Sequence, residues 1–273
     1  MGRGSEKIMI TEHKKNKVLT ELLYQLADDD FIHAYRGSEW LGLAPHIEED
    51  VAFSSINQDT MGHATMLYGL LEELGEGNVD ELAHERESAT RRNAVLLELV
   101  NGPGHYMEEP RYDWAFTVVR NYFYVTWKKV KMESLKQSSY QPLADVAVKV
   151  NMELYYHVMH WKTWIIQLFN ATDESRNRMM EALRRVCEEF ADVISLGEYG
   201  PGMVDLELIE SKEELLKKWT SFVKPVFQTI NLPVPTDFTA KSGNGRSGHH
   251  TTELNEALNT LSEVFRFDRT ASW

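Results

Sequence analysis

The chain has 273 residues, and 42% of them are hydrophobic, which is enough to fill the core of one large domain or two small ones. A formal net charge of −13 argues against binding to nucleic acid or to an anionic membrane, although basic stretches at 128–131 and 241–250 could form local patches. The single cysteine, Cys187, excludes an intramolecular disulfide and a cysteine-based metal site. No stretch has the length and apolar content of a membrane span, and residues 1–10 lack the apolar core of a secretory signal, so we expect a cytoplasmic protein.

Apolar residues recur every three or four positions along most of the chain, which is typical of amphipathic helices. We predict helices over residues 17–43, 47–74, 83–100, 114–136, 141–169, 172–196, 212–230 and 252–265. The helices 17–43, 47–74, 114–136 and 141–169 are long, and a crossover of some length joins the second of them to the third. This outline predicts an all-α, ferritin-like four-helix bundle with additional helices and a C-terminal extension.

Glycine and proline residues between 197 and 202 mark the end of the predicted bundle. We assign residues 1–204 to the bundle, with 1–16 expected to be flexible, and residues 205–273 to a helical appendage packed on the bundle or on a partner. The sequence GNGRSG at 243–248 looks like a phosphate-binding loop. It lacks the preceding strand and following helix that such a loop needs, so we do not expect a nucleotide site there.

Several polar residues lie inside the predicted long helices. Di-iron bundles use a carboxylate on one helix of each pair and Glu-x-x-His on the other, because residues i and i+3 share one inward face. Here Asp59 and His63 on the second long helix, and Glu153 and His157 on the fourth, are four residues apart, which still places each pair on one face. Asp29 on the first long helix is the facing carboxylate that we expect.

Arg120 is the only ionisable charge in the apolar stretch 114–127 of the third long helix. Because an unpaired buried charge costs about 3–5 kcal/mol, we expect Arg120 to be buried and paired with Asp29, Asp59 or Glu153. The six residues would then form a polar network in the place of a metal site, with no metal bound. If a metal did bind, the five other than Arg120 would be its ligands. The simpler alternative is that all of them face solvent on ordinary helices.

Five stretches, taken in order, cover nearly the whole chain and carry a specific resemblance. They are LADDDFIHAYRGSEWLGLAPHIEEDVAFSSINQDTMGHA (26–64), DELAHERESATRRNAVLLELVNGP (80–103), DWAFTVVRNYFY (113–124), MELYYHVMHWKTWIIQLFNATDESRNRMMEAL (152–183) and GRSGHHTTELNEAL (245–258). In these stretches the chain resembles the PaaC-type subunit of bacterial ring 1,2-phenylacetyl-CoA epoxidase. The resemblance implies a ferritin-like, non-catalytic subunit that supports the fold and assembly of the catalytic subunit.

In that family, the catalytic subunit holds the di-iron centre and the acyl-CoA substrate, and a separate reductase delivers electrons for ring epoxidation with O2. The resemblance therefore implies no cofactor in this chain, with di-iron in the partner subunit. It also implies further epoxidase subunits and a reductase as partners of the complex.

A supporting subunit needs a surface for its partner. We expect Trp161 and Trp164 on the fourth long helix to be aromatic anchors, because one bundle core cannot absorb all the aromatic residues. Leu254, Leu258 and Phe265 recur at helical spacing, so segment 246–273 is expected to act as a clasp on the catalytic subunit. The alternative is that this last helix only covers its own bundle.

Two other functions stay open on the sequence. An active di-iron oxygenase, or another metal-binding ferritin-like protein, would need the five candidate ligands to converge with one further carboxylate. A stand-alone helical scaffold would explain the composition but not the ordered resemblance. The iron content of the purified chain distinguishes a structural subunit from a di-iron enzyme.

Overall fold

The computed structural model describes the backbone of residues 2–271 and the side chains of residues 15–271. Over this range the chain forms eleven α-helices and two 3₁₀ turns, with no β-strand, which confirms the predicted all-α class. The expected flexible segment 1–16 falls almost entirely on residues whose side chains lie outside this description. The helices are α1 (Gly2–Ser38), α2 (Ile47–Glu73), α3 (Val79–His84), α4 (Val95–Glu98), α5 (Trp114–Leu135), α6 (Gln141–Ala171), α7 (Asp173–Cys187), α8 (Phe190–Ile194), α9 (Gly200–Asp205), α10 (Lys212–Thr229) and α11 (Thr252–Phe267).

The four long helices α1, α2, α5 and α6 form a ferritin-like bundle. Helix α1 packs along α2 and α5 packs along α6, and each pair is joined by a short connection. Side-chain contacts close the bundle between α1 and α5 and between α2 and α6. In both pairs of helices, the residue numbers of one helix rise along the contact while those of the other helix fall. Neighbouring helices are therefore antiparallel, and the diagonal helices α2 and α5 are parallel. A connection between parallel diagonal helices must travel the length of the bundle, which explains the long crossover from α2 to α5.

Local capping signals explain why three of the long helices begin where the sequence predicts. The side chain of Asp113 accepts a hydrogen bond from the amide of Phe116 at 3.1 Å, which caps α5. Pro142 lies in the first turn of α6, where backbone amides have no hydrogen-bond partner within the helix, so its missing amide hydrogen breaks no bond. His46 caps α2 by accepting from the amide of Glu49 at 3.2 Å. The predicted first helix was too long at its end, because α1 stops at Ser38 and residues 39–43 form turns.

The predicted helix 83–100 was wrong, because most of this part of the crossover is extended or in short turns. The backbone amides of residues 92, 94 and 95 donate to the carboxylates of Asp28, Asp29 and Asp192 at 2.8, 2.8 and 2.9 Å. Amides that bond to carboxylates of α1 and α8 cannot also bond to helix carbonyls. Tertiary contacts therefore override the helical pattern here.

The C-terminal helices pack on the bundle. Helix α10 lies against α5 and α6, and the indole of Trp219 donates to the hydroxyl of Thr126 at 2.9 Å. The same indole ring lies 5.5 Å from the ring of Phe123 and 5.2 Å from that of Phe190. Phe190 begins α8, because the predicted helix 172–196 breaks at residues 188–189 into α7 and α8. No helix in the described part of the chain has the length and apolar content that a bilayer span requires.

Candidate functional site

A lysine ammonium lies at the centre of the four-helix bundle. Lys128 of α5 donates from Nζ to Asp30 Oδ1 of α1 at 2.7 Å and to His63 Nδ1 of α2 at 2.8 Å. All three residues are buried. Because an ammonium group can only donate, Nδ1 of His63 must accept, and the ring hydrogen must lie on Nε2. Lys128 therefore fixes the tautomer of His63.

Two histidine–carboxylate pairs connect α2 with α6 beside this lysine. His63 donates from Nε2 to Glu153 Oε2 at 2.6 Å, and His157 lies with Nε2 2.9 Å from Asp59 Oδ2. The two imidazole rings are 6.0 Å apart between centroids. Both histidines are buried, whereas the carboxylates are about a third or more exposed, at 36% for Glu153 and 42% for Asp59. The network thus runs from the buried lysine to the surface groove between α2 and α6.

Burial determines the protonation of this network. Desolvation lowers the pKa of His63 and of His157, and the nearby charge of Lys128 lowers both further, although Asp59 opposes the shift at His157. Burial also lowers the pKa of Lys128 and raises that of Asp30, and the direct contact between these two groups opposes both shifts. The imidazoles are therefore neutral near pH 7, where they act as hydrogen-bonding partners and not as cations.

Further polar side chains complete the network on the α1–α5 side. Asp30 Oδ1 also accepts from the hydroxyl of Tyr124 at 2.6 Å, and the ring of Tyr124 packs 4.5 Å from that of His33. His33 Nε2 lies 2.9 Å from Asn121 Oδ1. No pattern in the sequence singles out Asp30, Tyr124, His33 and Asn121 as members of this network. The stretch 128–131 was a candidate for a basic patch, but Lys128 and Lys131 are both buried.

The residues present do not fit a di-iron centre. In a Glu-x-x-His pattern the carboxylate precedes the histidine by three positions. Those positions hold Thr60 before His63 and Leu154 before His157, and both side chains are buried in the bundle. Lys128 brings a cation to the place where a metal needs negatively charged ligands. Among residues 15–271, no group of three or more His, Cys, Asp or Glu side chains is arranged to hold a metal ion.

Arg120 is buried, as we expected, but its predicted ion pairs were wrong. Its guanidinium donates to the backbone carbonyl of Leu99 at 2.7 Å and to the side-chain oxygen of Asn101. Burial and the charge of Arg36 lower the pKa of Arg120 to about 9. Arg120 lies eight residues before Lys128 on α5, which corresponds to roughly 12 Å along the helix axis. Both cations are buried, but the one that pairs with a carboxylate at the bundle centre is Lys128 and not Arg120.

The carboxylates expected to pair with Arg120 each have another partner. Asp59 and Glu153 bond to histidines, as described above. Asp29 forms a two-point ion pair with Arg246 of the C-terminal segment, and both N–O distances are 2.8 Å. Asp29 therefore stabilises the docking of that segment and takes no part in the lysine-centred network.

Three consecutive aspartates of α1 connect three different parts of the molecule. Asp28 accepts from Arg86 at 2.7 Å and from the Tyr68 hydroxyl at 2.6 Å, which ties the crossover to α1 and α2. Burial alone would raise the pKa of Asp28, but the adjacent arginines lower it below the usual value. Asp29 binds the C-terminal segment, and Asp30 binds the central lysine. Successive residues of a helix point about 100° apart, which is why neighbours can serve three separate contacts.

The loop 243–248 has a structural role. The backbone at Gly245 lies so close to the carbonyl of Asn93 that a Cβ atom would collide with it. The amide of Gly245 donates to Asp192 at 2.9 Å, and the next residue, Arg246, reaches Asp29. These contacts seat the loop on the crossover and on α1.

Three of the five predicted partner anchors belong to the core of this chain. Trp161, Leu254 and Leu258 are buried, so the expectation that they anchor a partner at the surface was wrong. Trp164 is partly buried and donates from its indole nitrogen to Glu49 at 2.6 Å. Phe265 is also partly buried and stacks on an imidazole of α3 at 5.1 Å. The contacts of α11 favour the alternative that it covers its own bundle. Residues 272 and 273, at the end of the proposed clasp, lie outside the described residues.

Comparison with known proteins identifies the family of this chain. The chain is 28% identical over 249 residues to a protein of Escherichia coli strain K12 named as the C subunit of 1,2-phenylacetyl-CoA epoxidase. The match covers 91% of this chain and 96% of that relative. The family model described as phenylacetic acid catabolic protein matches residues 5–273. The chain therefore belongs to the phenylacetic acid catabolic protein family, whose members are ferritin-like.

Proposed function

We propose that this chain is the structural, non-catalytic subunit of a multicomponent 1,2-phenylacetyl-CoA epoxidase in the cytoplasm. In this role it binds the catalytic subunit, which carries the di-iron centre, and supports the bundle of that partner during aerobic phenylacetate catabolism. Further epoxidase subunits and a reductase complete the complex. Neither nucleic acid nor a membrane is a partner, in keeping with the net charge of −13.

One observation carries the non-catalytic part of this proposal. The bundle centre is filled by the ammonium of Lys128, which bonds to Asp30 and His63 at 2.7 and 2.8 Å. A metal ion bound there would have to displace a buried cation that already occupies the Nδ1 lone pair of His63 and Oδ1 of Asp30. The missing carboxylates at positions 60 and 154 would in addition leave two coordination positions empty.

The similarity to the Escherichia coli protein supports the assignment to an assembly, because that relative is named as one subunit of an epoxidase. Coverage of nearly the whole length of both chains supports a shared architecture. It does not separate a supporting subunit from a catalytic one, so the chemistry of the bundle centre carries that distinction.

Metal analysis and co-purification test the proposal. The chain is purified alone, and also after co-expression with the tagged catalytic subunit of the same organism, and iron is measured in both samples. We expect well under two iron ions per chain and no epoxidation by the chain alone. We also expect a stable complex with the catalytic subunit that epoxidises phenylacetyl-CoA when reductase is supplied. The catalytic subunit expressed without this chain is the matched control, and we expect it to be less soluble or less active.

Two results would contradict the proposal. Two iron ions per chain, together with turnover by the chain alone, would identify an active di-iron oxygenase and refute the structural role. Failure of the wild-type chain to bind the catalytic subunit would refute the proposed assembly.

A further inference from the structure

Helix α6 is apolar on two opposite faces. Its inner face packs in the bundle through buried residues, namely Leu143, Ala147, Val150, Leu154, Trp161, Ile165 and Phe169. Its outer face carries five large apolar side chains that are 47–66% exposed, namely Val148, Met152, Tyr155, Tyr156 and Met159. A helix that is apolar all round is normally buried all round, and a contiguous exposed apolar patch normally marks an interaction site. We call these five residues the outer face of α6.

The outer face is shaped to accept protruding side chains. Met159 stands between two depressions, and its side chain lines both of them. One lies between α2 and α6 and includes Ile56 and Trp164. The other lies between α6 and α10, has a volume of about 370 Å³, and is lined by Tyr122 and Phe222 among others. Pockets of this kind receive the large anchoring side chains that dominate the energy of protein interfaces.

Two lysines border this face of an otherwise acidic protein. Lys149 and Lys162 are exposed at its border, and no carboxylate among residues 15–271 lies within ion-pair distance of either. The carboxylate between them, Glu153, is already bonded to His63. A second copy docked by a twofold axis through this face would bring the same lysines together, which is unfavourable. The exposed carboxylates beside this face lie on α2, so a partner that offers carboxylates to the two lysines is the better match.

We infer that the outer face of α6, with its two flanking depressions, is the docking face for a helical subunit that presents apolar side chains bordered by carboxylates. This inference rests on the proposed function, which identifies that partner as the catalytic subunit. Docking would also cover Glu153 and Asp59, the exposed ends of the two histidine–carboxylate pairs, and so bring the partner close to the lysine-centred network.

Two matched substitutions test the apolar part of the face. Met152→Asp places a charge in the middle of the outer face, where the side chain is 64% exposed. Met107→Asp makes the same change in the crossover, where the side chain is 74% exposed. Affinity for the purified catalytic subunit is measured by biolayer interferometry, and circular dichroism checks the helical content. We expect Met152→Asp to bind at least roughly tenfold more weakly than wild type, and Met107→Asp to bind as wild type does.

A second variant tests the charge complementarity without touching the apolar side chains. The double substitution Lys149→Glu with Lys162→Glu should weaken binding at low salt. The difference from wild type should shrink as the salt concentration rises, because salt screens interactions between exposed charges.

Each outcome decides one question. If wild type does not bind the catalytic subunit, the proposed function is wrong, and so is the inference that this subunit docks on the outer face of α6. If wild type binds and Met152→Asp binds equally well, the docking face is wrong while the proposed function stands. If the purified chain is a dimer that Met152→Asp dissociates, the face belongs to a second copy, and the assignment to the catalytic subunit is overturned.

Discussion

Replacing Lys128 by methionine is the most direct test of the lysine-centred network. Methionine has a similar length but no charge, so the substitution removes the cation and leaves little empty space. It leaves the carboxylate of Asp30 buried, with the Tyr124 hydroxyl as its remaining donor, and it removes the donor to His63 Nδ1. Removing one partner of a buried ion pair typically destabilises a protein by about 3–5 kcal/mol.

Thermal unfolding followed by circular dichroism measures this change. For proteins of 150–250 residues, 1 kcal/mol shifts the midpoint by about 2–4 °C, so we expect Lys128→Met to melt roughly 6–20 °C below wild type. Lys217→Met is the matched control, because Lys217 is exposed and its ammonium lies 4.0 Å from the nearest carboxylate. We expect its melting temperature to stay within about 2 °C of wild type, since exposed pairs contribute little.

A second substitution separates loss of the ion pair from loss of packing. Adding Asp30→Asn to Lys128→Met removes the stranded charge, so the double variant should recover part of the lost stability. A Lys128→Met variant that melts with wild type would refute the account of the bundle centre. Absence of any recovery in the double variant would show that packing, and not charge, explains the loss.

Substitutions at other buried contacts, and a change of pH, should also alter the free energy of unfolding by measurable amounts. Arg246→Met should destabilise the chain by about 3–5 kcal/mol, because it strands the buried Asp29, and limited proteolysis should then cleave the C-terminal segment faster than in wild type. Arg120→Met should cost less, about 1–3 kcal/mol by urea unfolding, since its partners are neutral and only lose a hydrogen bond. The free energy of unfolding should fall as pH drops from 7 to 5. The lowered pKa of His63 keeps its imidazole neutral in the folded chain, whereas the same imidazole binds a proton in the unfolded chain below about pH 6.5. Below that pH, this one proton lowers the free energy of unfolding by about 1.4 kcal/mol per pH unit. His63→Gln should make this decline less steep, and an unchanged slope would contradict the assignment.

Much of the fold can be predicted from the sequence because its signals are local. The three- and four-residue apolar repeat predicts the long helices, and capping residues such as Asp113 and Pro142 define where α5 and α6 begin. The ordered resemblance over five stretches indicates the family, which the family model confirms. The sequence also predicts a partner surface on α6, but it points to Trp161 and Trp164, and Trp161 is buried, so it does not locate the face that is exposed.

The bundle centre could not be predicted in the same way, because the partner of a charged side chain is distant in the sequence. Arg120 and Lys128 both lie inside α5, and local pattern made the arginine the better candidate for the buried cation. Only the tertiary structure shows that Asp30 meets the lysine of α5, while Asp29 meets Arg246 of the C-terminal segment, 217 residues later in the chain. A buried charge must find a partner, so the need for an ion pair is readable from sequence, but which residue satisfies it depends on the tertiary structure.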